Sequence, residues 1–367
     1  MWIHENKNWP EFVWDIGELY PGLLEARQQL GHLLGRMDSL GFEHRQEANL
    51  RTLTGDLVRS WAIEGERLDE RQVRSSVARR LGIDIGGLTS ASRHVEGAVE
   101  MMLDATSNFR KPLTAKRLFA WHKAIFPAGD ALLGPIVVGN WRPGAMQIVS
   151  GPYGRQKLHY QAPSAARVAD EMKKFLSWFE SRSKIDSLLK AGVAHLWFES
   201  IHPFEDGNGR IGRAIADLAL ARADGRQQRF YSLSAQFEAN RNQYYQQLEM
   251  HNRGSMDITG WLAWFVASLS RALERSEQTL AAVMFKARLW NWIGAHPVND
   301  RQRQIINRML EDSFEGHMNT SKYAKMAKCS ANTAGRDIDN LKSRGILVRN
   351  PGSGRSTSYR LVDRVPN

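Results

Sequence analysis

The chain has 367 residues, of which 42% are hydrophobic and 24% charged, and its formal net charge is +11 at pH 7. This length favours about two or three domains, the single cysteine excludes an internal disulfide framework, and every apolar run is far shorter than the roughly 20 residues of a membrane-spanning helix. The positive charge favours an anionic partner without defining its kind. The first residues offer neither a basic region nor an apolar stretch typical of an export signal, so we expect a cytoplasmic protein with no membrane partner.

Most of the chain shows the apolar spacing of amphipathic helices. Residues 1 to about 105 predict a helical N-terminal region, in which a helix over 69–81 ends at Gly82. Residues 134–160 are rich in glycine and β-branched residues and predict a hairpin. Further helices are predicted near 113–126, 164–179, 187–201, 211–223, 235–250 and 258–285. The fold class is therefore mostly α, and the predicted domains are 1–105, 106–290 and 297–367.

The segment HPFEDGNGRIGR, residues 202–213, has the composition of a phosphate site at the start of a helix. Gly207 and Gly209 lack a Cβ, so backbone N–H groups can approach an anion closely, and the helix dipole favours negative charge there. Arg210 and Arg213 lie three residues apart on one helix face and can each pair with phosphate oxygens.

Two further residues of this segment add chemistry to the anion site. Asp206 supplies hard oxygen ligands suited to Mg²⁺ that phosphates hold jointly. His202 supplies an imidazole, whose ordinary pKa near neutrality suits a general base. An anion cradle, a metal ligand and a base thus occur within twelve residues.

The order and spacing of these residues resemble the Fic family signature H-P-F-x-[DE]-G-N-G-R-x-x-R, with every specified position met from His202 to Arg213. The segments LFAWHKAIFP at 118–127 and HLWFESI before the motif, together with Arg142 in the hairpin, are similar to the family as well. The opening WIHENKNWPEFVWD resembles the N-terminal region of one bacterial subgroup. The resemblance covers residues 1 to about 285.

The resemblance implies a protein adenylyltransferase. His202 would take the proton from a Ser, Thr or Tyr hydroxyl of a target protein, which attacks the α-phosphate of ATP and expels pyrophosphate. Asp206 would hold Mg²⁺ between the α- and β-phosphates. The remaining residues implied to bind ATP phosphates are Gly207, Asn208, Gly209, Arg210 and Arg213.

Many Fic proteins carry an inhibitory motif [ST]-x-x-x-E-[GN], whose glutamate pairs with the second motif arginine. Two segments match it, Ser60–Gly65 and Ser92–Gly97. The string SWAIEGERL is more similar to the N-terminal version found in the family, so we assign inhibition to Ser60, Glu64 and Gly65 rather than to Glu96. The assignment predicts a buried Glu64–Arg213 ion pair that competes with the γ-phosphate.

The resemblance also implies a target-binding flap and an adenine site. Residues 146–160 match the flap, an exposed hairpin edge on which Gln147, Ile148 and Val149 would pair with the target as an added strand. Asn240, Tyr244 and Tyr245 are candidate adenine neighbours, with core packing as the equal alternative for either tyrosine.

Residues 297–364 have the pattern of a winged helix with an excess of positive charge. Helices are predicted at 301–310, 319–327 and 331–344, followed by two strands with Gly352 and Gly354 at the tip of the wing. Asp337 and Asp339 are expected to dilute the positive charge of the third helix, so DNA binding and protein contact both stay open. The candidate DNA contacts are Thr333, Arg336, Lys342, Arg349, Arg355 and Arg360.

Three alternatives to adenylyl transfer remain at this stage. The same pocket could transfer another nucleotide, or it could remove AMP with Glu64 orienting water. A non-enzymatic reading is a DNA-binding regulator that senses a nucleotide, although such a sensor has no need of the base His202. The target protein, what relieves inhibition and the oligomeric state, including a homodimer, are left open by the sequence.

Overall fold

The computed structural model describes residues 1–85, 87–131, 134–151, 155–182, 184–294, 298–310, 314, 316–351 and 357–363. The chain divides into two compact units, Met1–Glu277 and Gln278–Asn367. Its described helices, numbered in chain order, are α1 (Ile16–Asp38), α2 (Phe42–Ile63), α3 (Glu70–Leu81), α4 (Arg93–Ser107), α5 (Ala115–Ile125), α6 (Ala165–Glu180), α7 (Ser187–Ile201), α8 (Asn208–Asp224), α9 (Leu233–Ala239), α10 (Arg241–His251), α11 (Thr259–Gly294), α12 (Asp300–Met309), α13 (Thr320–Met326) and α14 (Ala331–Ser343).

The strands are short and form three antiparallel pairs within the described residues. β1 (Asp130–Ala131) pairs with β2 (Gly134–Pro135), β3 (Gln147–Ser150) with β4 (Lys157–Gln161), and β5 (Leu347–Arg349) with β6 (Tyr359–Leu361). The protein is thus mostly α with a hairpin in the first unit, and this predicted fold class is confirmed.

The centre of the first unit is the pair α7 and α8. From Ala191 to Ile201 every residue of α7 is buried, including the polar His195, Glu199 and Ser200. A helix that is apolar around most of its circumference packs inside a protein, which explains its central place. α8 packs along α7, so the loop that joins them, residues 202–207, lies near the centre of the first unit.

The end of α2 is brought to the start of α8 by the packing of α2 against α3, α4, α8 and α9. α2 ends at Ile63, and Gly65 follows with a φ of +83°, a left-handed conformation that glycine adopts without strain. α3 also ends at a glycine in the left-handed conformation, Gly82, which has a φ of +68°. The turn at Gly65 presents the side chains of residues 64 and 66 to α8.

The prediction of one continuous helix at 235–250 is wrong, because Asn240 divides this segment into α9 and α10. Asn240 has the non-helical angles φ −122° and ψ 38°, and its Nδ2 donates to the Gln236 carbonyl at 3.3 Å. An asparagine amide that bonds to nearby backbone competes with the helical hydrogen bonds. The interruption sets the direction in which α10 leaves this corner.

In the second unit, α12, α13, α14 and the pair β5–β6 follow each other in the predicted order. Their core includes Ile305, Ile306, Tyr323, Ile338 and Leu341. Met318 forms a further bridge with Tyr359 beside β6. Gly352, Gly354 and Arg355, predicted for the tip of the wing, lie outside the described residues, as do residues 152–154 of the first unit's hairpin.

The expectation that Asp337 dilutes the charge on the outer face of α14 is wrong. Asp337 is 6% exposed, and its carboxylate accepts hydrogen bonds from Arg301 Nε at 3.0 Å and Tyr323 Oη at 3.1 Å. It therefore fastens α14 to α12 and α13 from within. Asp339 is exposed and forms an ion pair with Lys342 at 3.1 Å.

No helix in the described ranges is both long and apolar enough to cross a membrane.

Candidate functional site

The loop between α7 and α8 begins at His202 and is held by Arg142. His202 has a φ of +50°, a left-handed conformation that is uncommon outside glycine but that histidine adopts more often than most residues. Arg142 Nε donates to the His202 carbonyl at 2.8 Å, and the Arg142 backbone N–H donates to the Pro203 carbonyl at 2.9 Å. Arg142 is itself buried, so it fixes the start of the loop from the segment before β3.

Asn208 closes the same loop at its other end. Its Oδ1 accepts from the Phe204 N–H and its Nδ2 donates to the Phe204 carbonyl, both at 2.9 Å. The ring of Phe204 stacks on His122 with the ring centroids 4.3 Å apart. The amide of Asn208 therefore shapes the loop, and the stabilisation of phosphate charge assigned to it stays a prediction.

His122 of α5 ties the middle of the loop to the hairpin segment. Its Nδ1 accepts from the Gly139 N–H at 3.0 Å, so its Nε2 is the nitrogen that donates to the Asp206 carbonyl at 3.1 Å. Burial lowers the pKa of His122 to about 4. The ring is thus neutral, with one nitrogen accepting and the other donating, and it positions Asp206.

His202 is prepared to accept a proton. Its Nδ1 lies 3.3 Å from the Glu199 carbonyl, which can only accept, so Nδ1 carries the hydrogen and Nε2 has the free lone pair. Burial lowers the pKa of His202 to about 4, and the nearby Arg142 adds to this effect. The imidazole is therefore neutral at physiological pH, which is the state a general base needs.

Arg213 of α8 is bound by the end of α2. Its Nε donates to Ser60 Oγ at 2.9 Å, and its Nη2 donates to the Ser60 carbonyl at 2.7 Å. Its Nη1 forms an ion pair with Glu64 Oε1 at 2.7 Å, without the alignment of a linear hydrogen bond. Although burial opposes its charge, the Glu64 carboxylate raises the pKa of Arg213. The structure thus brings together the predicted residues Ser60, Glu64 and Arg213.

Glu64 also lies against the first turn of α8. A Cβ on Gly209 would come within 2.2 Å of Glu64 Oε1, so only glycine leaves room for the carboxylate. The N–H groups of a first helical turn lack intrahelical partners and attract anions. The Glu64 carboxylate therefore lies in a position that also suits a phosphate group.

Arg210 is bound by a second carboxylate that follows Gly65. Arg210 is 1% exposed, its Nη1 donates to Glu66 Oε1 at 2.9 Å, and its Nη2 donates to Asp206 Oδ1 at 3.1 Å. Its guanidinium lies over the rings of Trp61 and Phe126. Both arginines of the motif are thus paired with glutamates from one turn.

The second match to the inhibitory motif lies elsewhere. Glu96 stands in the first turn of α4 and pairs with Arg79 and Arg80, each at 3.1 Å. Gly97 packs against the backbone of Ala124, where a Cβ would overlap the Ala124 carbonyl oxygen. Glu96 therefore joins α4 to α3, and it makes no ion pair with Arg213.

Asp206 is the candidate ligand for a metal ion. Its side chain is 35% exposed, and Oδ1 accepts from the Gly207 N–H and from Arg210, which leaves Oδ2 for a cation. Among the described residues, no group of three or more His, Cys, Asp or Glu could hold a metal ion. These donors fit Mg²⁺ that is held chiefly by a nucleotide's phosphates and by one carboxylate.

The predicted flap is a two-stranded hairpin with an exposed edge strand. Gln147, Ile148, Val149 and Ser150 of β3 are all exposed, and Ile148 pairs with Tyr160 of β4. β3 has no second strand beside it within the described residues. Its backbone can therefore accept an added strand, although pairing with a target stays a prediction.

The candidate adenine neighbours separate into a core residue, Tyr244, and two less buried residues, Asn240 and Tyr245. Tyr244 is buried, its Oη lies 2.9 Å from His195 Nε2, and its ring stacks on Phe237. Tyr245 is 39% exposed and donates to the Ile63 carbonyl at 3.0 Å, which fastens the end of α2. Tyr244 thus packs in the core, and contact of Asn240 or Tyr245 with adenine stays a prediction.

Sequence reasoning missed the roles of His122 and Glu66. The His122 contacts join segments that are far apart in the chain, so no local pattern could reveal them. Glu66 offered a signal, since SWAIEGERL carries one acidic residue on each side of a glycine that ends a helix. Two carboxylates next to such a glycine could have been matched to the two arginines of the motif.

Two family models match separate parts of the chain. A model described as the Fic/DOC family matches residues 112–220, which include Arg142 and the whole loop from His202 to Arg213. A model described as a domain of unknown function (DUF4172) matches residues 2–83, which include Ser60, Glu64 and Glu66.

Individual relatives agree with the first of these matches. Proteins named protein adenylyltransferase Fic are 24% identical over 245 residues in Drosophila yakuba and 25% identical over 237 residues in Drosophila grimshawi. These alignments cover 62% and 60% of this chain but only 44% of each relative, so the chain matches less than half of the relatives' length.

Two solved structures share the fold. A Fic family protein from Desulfovibrio desulfuricans G20 has a TM-score of 0.51 and 21% identity, covering 95% of this chain and 98% of that one. A Fic domain-containing signaling protein from Bacteroides thetaiotaomicron has a TM-score of 0.51 and 19% identity, covering 71% of this chain and 95% of that one.

Proposed function

We propose that the chain, whose residues 112–220 match the Fic/DOC family model, is a protein adenylyltransferase that moves AMP from Mg·ATP to Ser, Thr or Tyr hydroxyls of other proteins. The observation that carries the proposal is a neutral His202 with Nε2 free, in a loop that leads directly to two buried arginines. Relatives named protein adenylyltransferase Fic support the same reaction.

The proposed step is an in-line displacement at the α-phosphate. The hydroxyl oxygen of the target attacks the α-phosphorus, its proton passes to His202 Nε2, and the bond from the α-phosphorus to the bridging oxygen breaks to release pyrophosphate. Asp206 would hold the Mg²⁺, which offsets the charge of the phosphates. Arg210, Arg213 and the N–H groups of the first turn of α8 would bind the phosphates, so that catalysis rests on positioning and electrostatics.

We further propose that this transfer is restrained by Glu64. The ion pair at 2.7 Å engages Arg213, and the close approach to Gly209 places the carboxylate at the helix N-terminus. A γ-phosphate that needs the same guanidinium must displace Glu64 first. Glu66 engages Arg210 in the same way at 2.9 Å, so both phosphate-binding arginines start from a paired state.

The test of transfer is direct. The full chain is incubated with a cell lysate and α-labelled ATP, GTP, CTP or UTP in separate reactions, and labelled proteins are analysed by mass spectrometry. We expect AMP on a hydroxyl side chain, with His202→Ala as the inactive control. Label from another nucleotide would identify that nucleotidyl transfer instead, and loss of AMP from a modified target would identify removal.

A second candidate function, the binding of duplex DNA, belongs to the unit Gln278–Asn367 considered by itself. This unit holds fifteen Lys and Arg against seven Asp and Glu, which is +8 of the chain's +11. α13 and α14 are joined by the four residues 327–330, the usual length of the turn in a helix-turn-helix. In that motif the second helix enters the major groove.

The burial of Asp337 favours this function. With that carboxylate turned inward, the outer face of α14 exposes Asn332 and Arg336, and Lys325 and Lys328 are exposed just before it. Amide and guanidinium groups near the start of such a helix suit contacts with base edges, and lysines suit phosphates. Asp339 is the exposed carboxylate on α14.

Fluorescence anisotropy of the full chain with a random-sequence duplex tests DNA binding over a series of salt concentrations. The triple variant Lys325→Ala, Lys328→Ala, Arg336→Ala should reduce the slope of log K against log salt by roughly one for each lost phosphate contact. Asp339→Asn should bind more tightly, and Arg271→Ala in the first unit should change nothing. No salt-dependent binding, or an unchanged slope in the triple variant, would favour a protein partner for this unit.

A further inference from the structure

The carboxyl of Glu199 lies beside the imidazole of His202, and the proposed transfer step makes no use of it. Glu199 stands in the last turn of α7, and its side chain is 7% exposed. Oε2 lies 3.8 Å from His202 Nδ1, whereas Oε1 has no hydrogen-bond partner among the described residues. A buried carboxyl oxygen without a partner is costly for folding, so this side chain calls for an explanation.

Groups from three other elements surround Glu199. A Cβ on Gly212 of α8 would lie 2.4 Å from Oε1, so that glycine lets the carboxyl fit between the two helices. Burial, with the Glu64 carboxylate next, raises the pKa of Glu199 to about 8, and the Arg213 guanidinium opposes this rise. Tyr244 of α10 also faces this cluster, and its hydroxyl stays protonated because burial raises its pKa. With Glu64 in place, Glu199 and His202 are both uncharged at neutral pH.

We propose that Glu199 is a positioning residue that stabilises the imidazolium formed when His202 takes a proton, and that Glu64, whose carboxylate lies against Gly209 on the same helix as Gly212, disfavours the ionisation of Glu199. The inference deepens the proposed transfer and rests on it. An ionised carboxylate 3.8 Å from Nδ1 attracts the positive ring, whereas an uncharged carboxyl does so far less. In the nucleotide-free chain, loss of the Glu64 carboxylate removes a repelling charge, so Glu199 ionises more readily. Glu64 thus restrains the base as well as Arg213.

Nuclear magnetic resonance on the nucleotide-free full chain tests this coupling without any need for activity. With ¹³C-labelled histidine, the His202 ring signal, identified by its loss in His202→Asn, should move as Glu199 titrates near pH 8. Glu199→Gln should abolish that movement, and Glu64→Gln should shift its midpoint to lower pH. Glu96→Gln removes a carboxylate that pairs with Arg79 and Arg80 instead, and it should leave the midpoint unchanged.

The rate of nucleotide transfer provides a second readout in the Glu64→Gly background. The kcat should rise with pH as Glu199 ionises, whereas Glu199→Gln should flatten this rise and lower kcat roughly tenfold at its plateau, with KM for ATP little changed. Glu199→Asp keeps the charge and should restore part of the rise.

A His202 signal that shows no step near pH 8, or a step that persists in Glu199→Gln, would overturn the role of Glu199. The step together with an absence of transfer from any variant would refute the proposed function and keep the coupling. Transfer by a variant whose His202 signal shows no titration step would support the proposed function and refute the coupling between Glu199 and His202.

Discussion

The catalytic loop and the two arginines that follow it are held by different parts of the chain. The loop is fixed by Arg142, His122 and Asn208, which all lie within residues 112–220, the part matched by the Fic/DOC model. The arginines are held by Glu64 and Glu66, which lie within residues 2–83. The loop geometry is therefore intrinsic to the domain, whereas the arginines depend on a separate segment. Removing that segment's carboxylates should free the arginines and leave the loop intact.

The largest effect is expected at the loop itself. His202→Ala should lower transfer by about 10² to 10⁴-fold, the usual contribution of a general base, with ATP binding nearly unchanged because the imidazole handles a proton rather than the phosphates. His202→Asn is the matched control, since asparagine tolerates the left-handed backbone at this position better than alanine. Label incorporation and ATP titration measure the two properties. Near-normal labelling by both variants would refute the role of His202.

A smaller effect is expected at the second carboxylate. Glu66→Gln removes the charge that engages Arg210, so in a Glu64→Gly background it should lower KM for ATP by about two- to fivefold, the range of a partly exposed ion pair. Glu47→Gln, which removes the α2 carboxylate that pairs with Arg74 of α3 at 3.0 Å, is the control. A rise in KM for Glu66→Gln would mean that Glu66 orients Arg210 for ATP instead of competing with it.

A separate effect concerns stability and Glu199. Its pKa is raised from 4.5 to about 8 in the folded chain, so between these values the folded state keeps a proton that the unfolded state has lost. The free energy of unfolding should therefore fall as pH rises through this window, by at most about 1.4 kcal/mol per pH unit from this group. Glu199→Gln should lack that contribution. Urea unfolding of both proteins at about pH 5 and pH 8 measures it, and parallel changes would contradict it.

Much of the fold follows from local patterns in the sequence. The helices at 69–81 and 187–201 were predicted within a residue of the observed α3 and α7, because the apolar spacing and the glycine at 82 are local signals. The break at Asn240 was missed, since it depends on one side chain that donates to the Gln236 carbonyl. The inward turn of Asp337 was missed because it depends on Arg301 and Tyr323, which come from other helices.

The residues of the candidate site also divide into those that the sequence identifies and those that only the structure identifies. Spacing alone selected His202, Asp206, Arg210 and Arg213, since a base, a metal ligand and two cations occur within one short segment. The choice of Glu64 over Glu96 needed the resemblance to a family, and the structure pairs Arg213 with Glu64. Glu199 could not be recognised, because its significance comes from burial beside His202 and from the charge of Glu64, which follows a helix far away in the chain.

The measurement that tests the central claim most directly is AMP incorporation by Glu64→Gly, with automodification as the readout. If Glu64 restrains Arg213, this variant should incorporate more AMP than the wild type, Glu96→Gly should not, and Arg213→Ala combined with Glu64→Gly should fall back toward inactivity. If Glu64→Gly leaves incorporation unchanged while Glu96→Gly raises it, the wrong glutamate has been assigned. If neither variant raises incorporation, the chain is not restrained by a carboxylate on Arg213.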